Sequence, residues 1–291
     1  MSEYITHIAV LDDCRRMLPF MEDIHPAFNE VVQKHPLPAR LGSGSRGNHL
    51  FVPDFLIEFG KRWDSRKPAE RMEEKLAFTV GWICHRGADV HFKAIYPQLD
   101  KNKALRPVDI RIVHDIITFN TVYQNGHANP LHPQLLEERL EGHPAAKVMD
   151  VGLVESIVSA DHQQQLLGLQ AGSYTGEPLE DWIKWFEDNF QDYYVEIPRY
   201  TAHYYNPNFD QLNKFIYAPD FYNTEDEIIR LVTEIRDTGN TSVDFYTAIK
   251  KAKDQSQYSH ALYKCYIYLL AADDLFKAKI DKAEFAKRFE L

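Results

Sequence analysis

The sequence predicts an all-α protein. Apolar residues recur at helical spacing over most of the chain, and convincing alternating patterns of the kind that form strands are absent. Segments rich in proline and glycine separate the periodic stretches. We therefore expect helices that pack on helices around a shared apolar core.

Composition indicates a globular protein with a sizeable core. The chain has 291 residues, of which 44% are hydrophobic and 26% are charged. It contains no internal repeat, no low-complexity tract and no strong linker. We therefore expect one domain, in which residues 1–150 form a helical core and residues 151–291 form a C-terminal helical extension packed on it.

Charge and cysteine usage exclude several classes of protein. The net charge of −10 argues against stable nucleic-acid binding, which needs a basic surface. No apolar run approaches the roughly 20 residues that span a bilayer, and the N-terminus lacks the pattern of a signal peptide. The cysteines Cys14, Cys84 and Cys265 are far apart and form no CxxC, so neither a disulfide framework nor a thiolate zinc site is indicated. These features predict a cytoplasmic protein without a membrane span.

Helices in the first half follow from apolar spacing and from start and stop signals. Ile8, Ala9 and Met17 are among the apolar positions of the first helix. Pro68 suits the first position of a long helix, and Gly126 ends another. The helices predicted in this half cover residues 4–18, 24–33, 69–95 and 107–124.

Residues 35–53 are predicted to form a loop, because they contain three prolines and three glycines. Within this segment, residues 42–48 lack the lysine and the spacing of a P-loop. We interpret them as a flexible loop rather than as a phosphate cradle.

Helical patterns continue in the second half of the chain. An aromatic segment over residues 193–222 is interrupted by three prolines and separates two groups of helices. The helices predicted in this half cover residues 151–169, 179–190, 224–237, 242–253, 257–277 and 282–289.

The long helix over residues 69–95 carries the most informative pair of residues. His85 and Asp89 are four residues apart, so they share one face of this helix. Gly81 lies one turn earlier and is expected to leave space above the pair. An imidazole and a carboxylate beside open space form the start of a metal site. A His–Asp hydrogen bond inside a helical core is the alternative interpretation.

Further candidate ligands lie within the first 120 residues. His7 lies on the first helix, Asp54 follows Pro53, and His114 lies in the middle of a helix on an apolar face. Each has an ordinary explanation when taken alone. The histidines are compatible with core positions, and an aspartate after a proline is usually a helix cap.

The order of these residues resembles the zinc-dependent phospholipase C family, which shares its fold with the single-strand-specific zinc nucleases. Thr6-His7 is followed by Pro53-Asp54, then by the helix with Gly81, His85 and Asp89, and then by His114. The similarity covers about residues 4 to 120. It implies a multi-helix bundle of the phospholipase C type and a metal-dependent hydrolase of phosphate esters.

The resemblance also implies roles for individual residues. Asp54, His85 and Asp89 would hold one metal ion, Asp89 would bridge to a second ion that His7 also binds, and His114 would belong to a third. Zinc or another divalent metal suits these ligands, and we expect one or two ions per chain. Asp54 is also a candidate catalytic general base. The implied substrate is a small phosphate ester or a phospholipid headgroup.

Three positions depart from the family pattern. Asp64 stands where the family has a histidine, so we include it as a candidate metal ligand. Lys93 is near the place of another histidine, and Thr118 stands where a glutamate follows the last histidine. The third metal site is therefore predicted to be lost, and Lys93, Arg86 or Arg46 would supply positive charge in its place.

Two other interpretations stay open. An HD-type phosphohydrolase would use His85, His114, Asp115 and either Asp150 or Asp161. A partly degenerate, non-catalytic protein with a binding or structural role would hold one metal ion or none. Metal content and phosphodiesterase activity separate these possibilities.

Overall fold

The part of the chain that the structure describes is helical. A computed structural model describes residues 4–44, 52–93, 114, 118, 121–122 and 218–290. Every regular element in these ranges is a helix, and no strand occurs in them. The all-α prediction is confirmed at this level, while the phospholipase C type of bundle stays a prediction. No helix in these ranges has the length and apolar character needed to cross a membrane.

Ten α-helices fall within the described ranges. They are α1 (Tyr4–Met17), α2 (Pro26–Lys34), α3 (Pro36–Gly44), α4 (Val52–Arg62), α5 (Met72–Lys93), α6 (Ala218–Phe221), α7 (Glu227–Thr238), α8 (Phe245–Ala252), α9 (Gln257–Phe276) and α10 (Lys282–Arg288). Single 3-10 turns follow α1 and α4 at Leu18–Phe20 and Trp63–Ser65, and another precedes α5 at Pro68–Glu70.

Seven of these helices correspond to ranges that the sequence predicts. They are α1, α2, α5 and α7 to α10, and their ends differ from the predicted ones by three residues or fewer. Of the predicted helix over residues 107–124, the described residues His114, Thr118 and Thr121 are helical. The predicted helices over residues 151–169 and 179–190 lie outside the described residues.

The loop predicted over residues 35–53 is wrong for most of the part that the structure describes. Residues Pro36–Gly44 form α3, and Val52 begins α4. Prolines stand in the first turns of both helices, where no N–H is needed for a helical hydrogen bond. Gly42 serves helix packing, because a Cβ atom there would clash with the carbonyl of Phe78 and lie 2.9 Å from the backbone nitrogen of Trp82.

Helix α5 lies at the centre of the described fold. Helix α3 packs along it on one side and α9 on another, and α1 and α2 also contact it. Gly87 makes the contact with α9 close, since a Cβ atom there would lie 2.8 Å from the Sγ atom of Cys265. The three cysteines are free thiols, buried in the core.

The C-terminal helices pack directly on the N-terminal ones. On α9, the Tyr258 hydroxyl donates a 2.8 Å hydrogen bond to Asp13 of α1. Beyond α10, Phe289 stacks on Trp82 of α5 with ring centroids 5.7 Å apart. Arg86 donates a 3.0 Å hydrogen bond to the carbonyl of Glu290. The last helices therefore form part of the environment of α5. The predicted boundary near residue 150 lies outside the described residues.

Candidate metal centre

Three of the predicted ligands converge between α1 and α5. His7 comes from α1, and His85 and Asp89 come from α5. One ligand atom from each side chain lies within 4.8 Å of the other two. The three residues are 1%, 4% and 5% exposed, so this group of polar side chains is almost fully buried. Burial of polar groups is costly unless each one has a partner.

The carboxylate of Asp89 faces both histidines at the same distance. Its Oδ1 atom is 3.4 Å from the Nε2 atom of His7, and its Oδ2 atom is 3.4 Å from the Nε2 atom of His85. The two imidazole rings stack with centroids 4.3 Å apart and planes inclined by 24°. All three side chains therefore present ligand atoms to one small region.

These separations fit ligands that share a metal ion. A charge-assisted N–H···O hydrogen bond usually measures about 2.7–2.9 Å. Two ligand atoms placed tetrahedrally about 2.0–2.1 Å from zinc are about 3.3–3.4 Å apart. The two observed distances of 3.4 Å, each to a different oxygen of Asp89, are close to the second separation. Imidazole nitrogen and carboxylate oxygen are also ligand types that zinc accepts.

Ser43 near the end of α3 contacts both histidines, through the ring of His85 and the backbone of His7. The Nδ1 atom of His85 lies 2.8 Å from the carbonyl oxygen of Ser43. Because a carbonyl only accepts hydrogen bonds, Nδ1 carries a proton, and a neutral ring then has its lone pair on Nε2. The hydroxyl of Ser43 donates a 2.8 Å hydrogen bond to the backbone carbonyl of His7. Metal-binding histidines in proteins are commonly held through the ring nitrogen that does not bind the metal, as Nδ1 of His85 is held here.

The electrostatics of the pair require a positive charge. In the neutral form set by Ser43, the Nε2 lone pair of His85 would face the anionic carboxylate of Asp89 at 3.4 Å, and this contact is repulsive. A second proton on the ring or a bound cation resolves this conflict. Burial alone would raise the pKa of Asp89, but the interactions of its carboxylate with His85 and His7 together lower it more, so the net pKa lies well below its usual value.

The space expected above Gly81 is not open, and this part of the sequence prediction is wrong. The backbone of α3 occupies it, so that a Cβ atom on Gly81 would clash with the carbonyl of Ala39 and lie 3.0 Å from the backbone nitrogen of Ser43. The glycine therefore brings Ser43 to His85 and does not provide room for a ligand.

The structure does not bring Asp54 or Asp64 into this group. Asp54, with a side chain that is 42% exposed, forms an ion pair with Lys282 of α10. Asp64 is exposed on the 3-10 turn after α4. Arg86, one of the expected sources of positive charge, binds the carbonyl of Glu290. Arg46 and the side chain of Lys93 lie outside what is described.

His114 is buried but belongs to a different cluster. Its ring stacks on Phe221 with centroids 4.2 Å apart and planes inclined by 9°. One helical turn later, the hydroxyl of Thr118 forms a 3.1 Å hydrogen bond with that of Thr6, which precedes His7. A pair of hydroxyls thus occupies the place for which the resemblance implies a carboxylate ligand.

Comparison with known proteins gives no relative. No known protein family, curated protein or solved structure matches this chain. The argument for function therefore depends on the residues of the candidate centre.

Proposed function

We propose that this protein binds a divalent metal ion through His7, His85 and Asp89 and hydrolyses phosphate esters. The observation that carries the proposal is the buried carboxylate of Asp89, which lies 3.4 Å from the Nε2 atoms of both histidines. The hydrogen bond from His85 to Ser43 supports it, because this bond leaves Nε2 as the ligand atom.

Each residue has a defined task in this proposal. His7 and Asp89 hold the ion from α1 and α5, and Ser43 fixes the tautomer of His85. Three protein ligands leave a further position open, as in catalytic zinc sites. The bound ion would polarise a phosphoryl oxygen of the substrate. The role of Asp54 as general base stays a prediction. Its carboxylate lies outside the three-residue group and pairs with Lys282.

A non-catalytic metal-binding protein is the second candidate. Two observations favour it: the Thr6–Thr118 hydroxyl pair at the third site and the ion pair that engages Asp54. In that case the ion would hold α1 against α5 and contribute to folding only.

Activity assays separate the two candidates. The purified protein is tested on bis-p-nitrophenyl phosphate, p-nitrophenyl phosphate and p-nitrophenylphosphorylcholine, before and after treatment with a chelator. The proposal predicts hydrolysis that the chelator removes, that zinc restores, and that Asp89→Asn abolishes while the fold is retained. Bound metal without hydrolysis of any ester would favour the non-catalytic candidate. Hydrolysis that survives both the chelator and Asp89→Asn would overturn the proposed site.

A further inference from the structure

A cavity with excess positive charge lies at the end of α5 that is remote from the metal centre. It has a volume of about 370 Å³ and is formed by the end of α2, residues 66–71 and the first turn of α5. Its lining includes four cationic side chains and two carboxylates, which leaves an excess of two positive charges. The complete chain carries a net charge of −10, so this local excess runs against the overall charge.

Arg66 is held rigidly at the wall of this cavity. Its guanidinium lies over the ring of Trp63 at 4.2 Å from the centroid. It also donates a 2.8 Å hydrogen bond to the backbone carbonyl of Trp63. Two more hydrogen bonds, of 3.1 and 2.9 Å, reach one oxygen of Glu73. The other oxygen of Glu73 is 2.5 Å from the ammonium of Lys34. Cations from two segments thus already converge on one carboxylate.

Two further cations in the lining keep donors available. Arg71 forms an ion pair with Glu74 through its Nε atom, but its two terminal guanidinium nitrogens donate no hydrogen bond to any described residue. The ammonium of Lys67 likewise has no ion pair or hydrogen bond within the described part of the chain. A guanidinium with spare donors is suited to bidentate binding of a phosphate group, and an ammonium adds a point charge.

The backbone at Arg71 makes this residue suitable for substitution by glycine. Its φ angle is +50°, in the left-handed region. Glycine adopts this region without steric cost, whereas a residue with a Cβ atom is strained there. A glycine at this position would therefore remove the guanidinium and also relieve backbone strain.

We propose that this cavity binds the phosphate group of a small phosphorylated molecule. Arg71 and Lys67 would contact the phosphate oxygens, and Arg66 and Lys34 would strengthen the local field. Small-molecule sites usually have volumes of about 300–1,000 Å³, so the cavity accommodates more than the phosphate group alone. The site is separate from the metal centre, because Met72 and Asp89 are about 26 Å apart along α5 at a rise of about 1.5 Å per residue.

Calorimetric titration with inorganic phosphate and with glycerol phosphate, at low ionic strength, tests this site. Arg71→Gly removes the guanidinium and relieves the strained backbone, so the variant should fold at least as well as the wild-type protein. We expect its affinity for both ligands to fall by about tenfold or more, because a charge-assisted bidentate contact is lost. Tighter binding of glycerol phosphate than of inorganic phosphate would identify an organic phosphate as the better ligand.

Two control variants make the result decisive. Ala278 also has a left-handed φ angle, of +54°, so Ala278→Gly makes the same backbone change without loss of charge. This variant should bind phosphate as the wild-type protein does, and His85→Ala should retain the binding that Arg71→Gly loses. The proposal is overturned if neither ligand binds the wild-type protein or if Arg71→Gly binds normally. It is also overturned if His85→Ala alone loses binding, since the phosphate would then occupy the metal centre.

Discussion

Ser43 connects the two histidines of the candidate centre through two different groups. Its carbonyl accepts from His85, and its hydroxyl donates to the backbone of His7. The carbonyl contact depends on the position of α3, while the hydroxyl contact depends on the serine side chain itself. A substitution at this residue therefore tests how the centre is positioned without removal of a ligand.

We expect Ser43→Ala to weaken metal binding by about tenfold, the lower end of the range for residues that orient metal ligands. The fold should be retained, because the variant removes one hydroxyl and keeps the carbonyl that holds His85. Metal affinity is measured by competition with a chromophoric chelator. Ser65→Ala, at an exposed serine on the turn after α4, is the control. Equal affinity in both variants would show that the hydroxyl of Ser43 does not position the centre.

A second buried polar contact joins α1 to α3. One guanidinium nitrogen of Arg40 lies 3.1 and 3.0 Å from the two carboxylate oxygens of Asp12. Arg40→Met leaves this buried carboxylate without its main partner, and we expect the free energy of unfolding to fall by about 3–5 kcal/mol. The double variant Asp12→Leu/Arg40→Met should recover most of this loss in chemical denaturation. A double variant as unstable as Arg40→Met would contradict this account.

The same pair predicts how stability depends on pH. Burial raises the pKa of Asp12, but the charges of Arg40, Arg15 and Arg16 together lower it more, so the net pKa lies below its usual value. Such a carboxyl stabilises the fold above its unfolded pKa of about 3.9, and this contribution is lost as the pH falls through the lower folded pKa. Unfolding free energy should therefore decrease below about pH 4 in the wild-type protein. The double variant should show a smaller decrease, and equal slopes would argue against this role.

Some residues of the centre could be predicted from the sequence and others could not, for a physical reason. His85 and Asp89 lie on one helix, so their spacing alone places them together. His7 lies on another helix, and only the order of motifs suggested that it joins them. Ser43 was missed because it acts partly through its main-chain carbonyl, which every residue has. The pairing of Asp54 with Lys282 depends on where α10 packs, and local sequence does not specify that.

Glycines at helix contacts determine how closely the elements of this fold approach. A Cβ atom on Gly81 of α5 would clash with the carbonyl of Ala39 in α3, and one on Gly60 of α4 would clash with that of Phe276 in α9. The two contacts are similar in kind, but only the first borders the helix that carries Ser43. They therefore form a matched pair for a test.

We expect Gly81→Ala and Gly60→Ala each to lower the free energy of unfolding by about 1–3 kcal/mol, because both force two helices apart. Only Gly81→Ala should also weaken metal binding, by about tenfold or more, since it shifts Ser43 away from His85. Thermal unfolding and metal competition measure the two effects. Equal metal affinity in the two variants would contradict the role of the contact between α3 and α5.

The helices of this fold differ in how well the sequence predicted them. Helices α7 and α8 have regular apolar spacing and were placed to within three residues at each end. In α3, the prolines and glycines were interpreted as signals of a loop. The prolines instead stand in the first turn of the helix, and Gly42 allows the helix to pack closely on α5. The role of a glycine in helix packing can be recognised only when the facing helix is known.

At the scale of the whole molecule, the last described residues pack against α5. Phe289 is fully buried, and its ring stacks on Trp82 at 5.7 Å and on Tyr268 of α9 at 4.4 Å. The end of the chain thus contacts the helix that carries two of the candidate ligands. The sequence predicted a C-terminal extension packed on the core, and these contacts suggest a direct test of that arrangement.

We expect Phe289→Ala to lower the free energy of unfolding by about 3–5 kcal/mol, as removal of a buried phenyl ring leaves a cavity. If the N-terminal and C-terminal helices form one cooperative unit, near-ultraviolet and far-ultraviolet circular dichroism should report the same transition in the wild-type protein and in the variant. Two separate transitions would show that the two parts unfold independently.

The most direct test of the central claim is elemental analysis of the purified protein and its variants. We predict a divalent metal ion, zinc or one of similar chemistry, in the wild-type protein and in His260→Ala, whose histidine lies outside the centre. His85→Ala and the nearly isosteric Asp89→Asn should keep the fold and lose most of the metal. Wild-type protein that binds no divalent metal, or variants that retain it in full, would contradict the claim that His7, His85 and Asp89 form a metal centre.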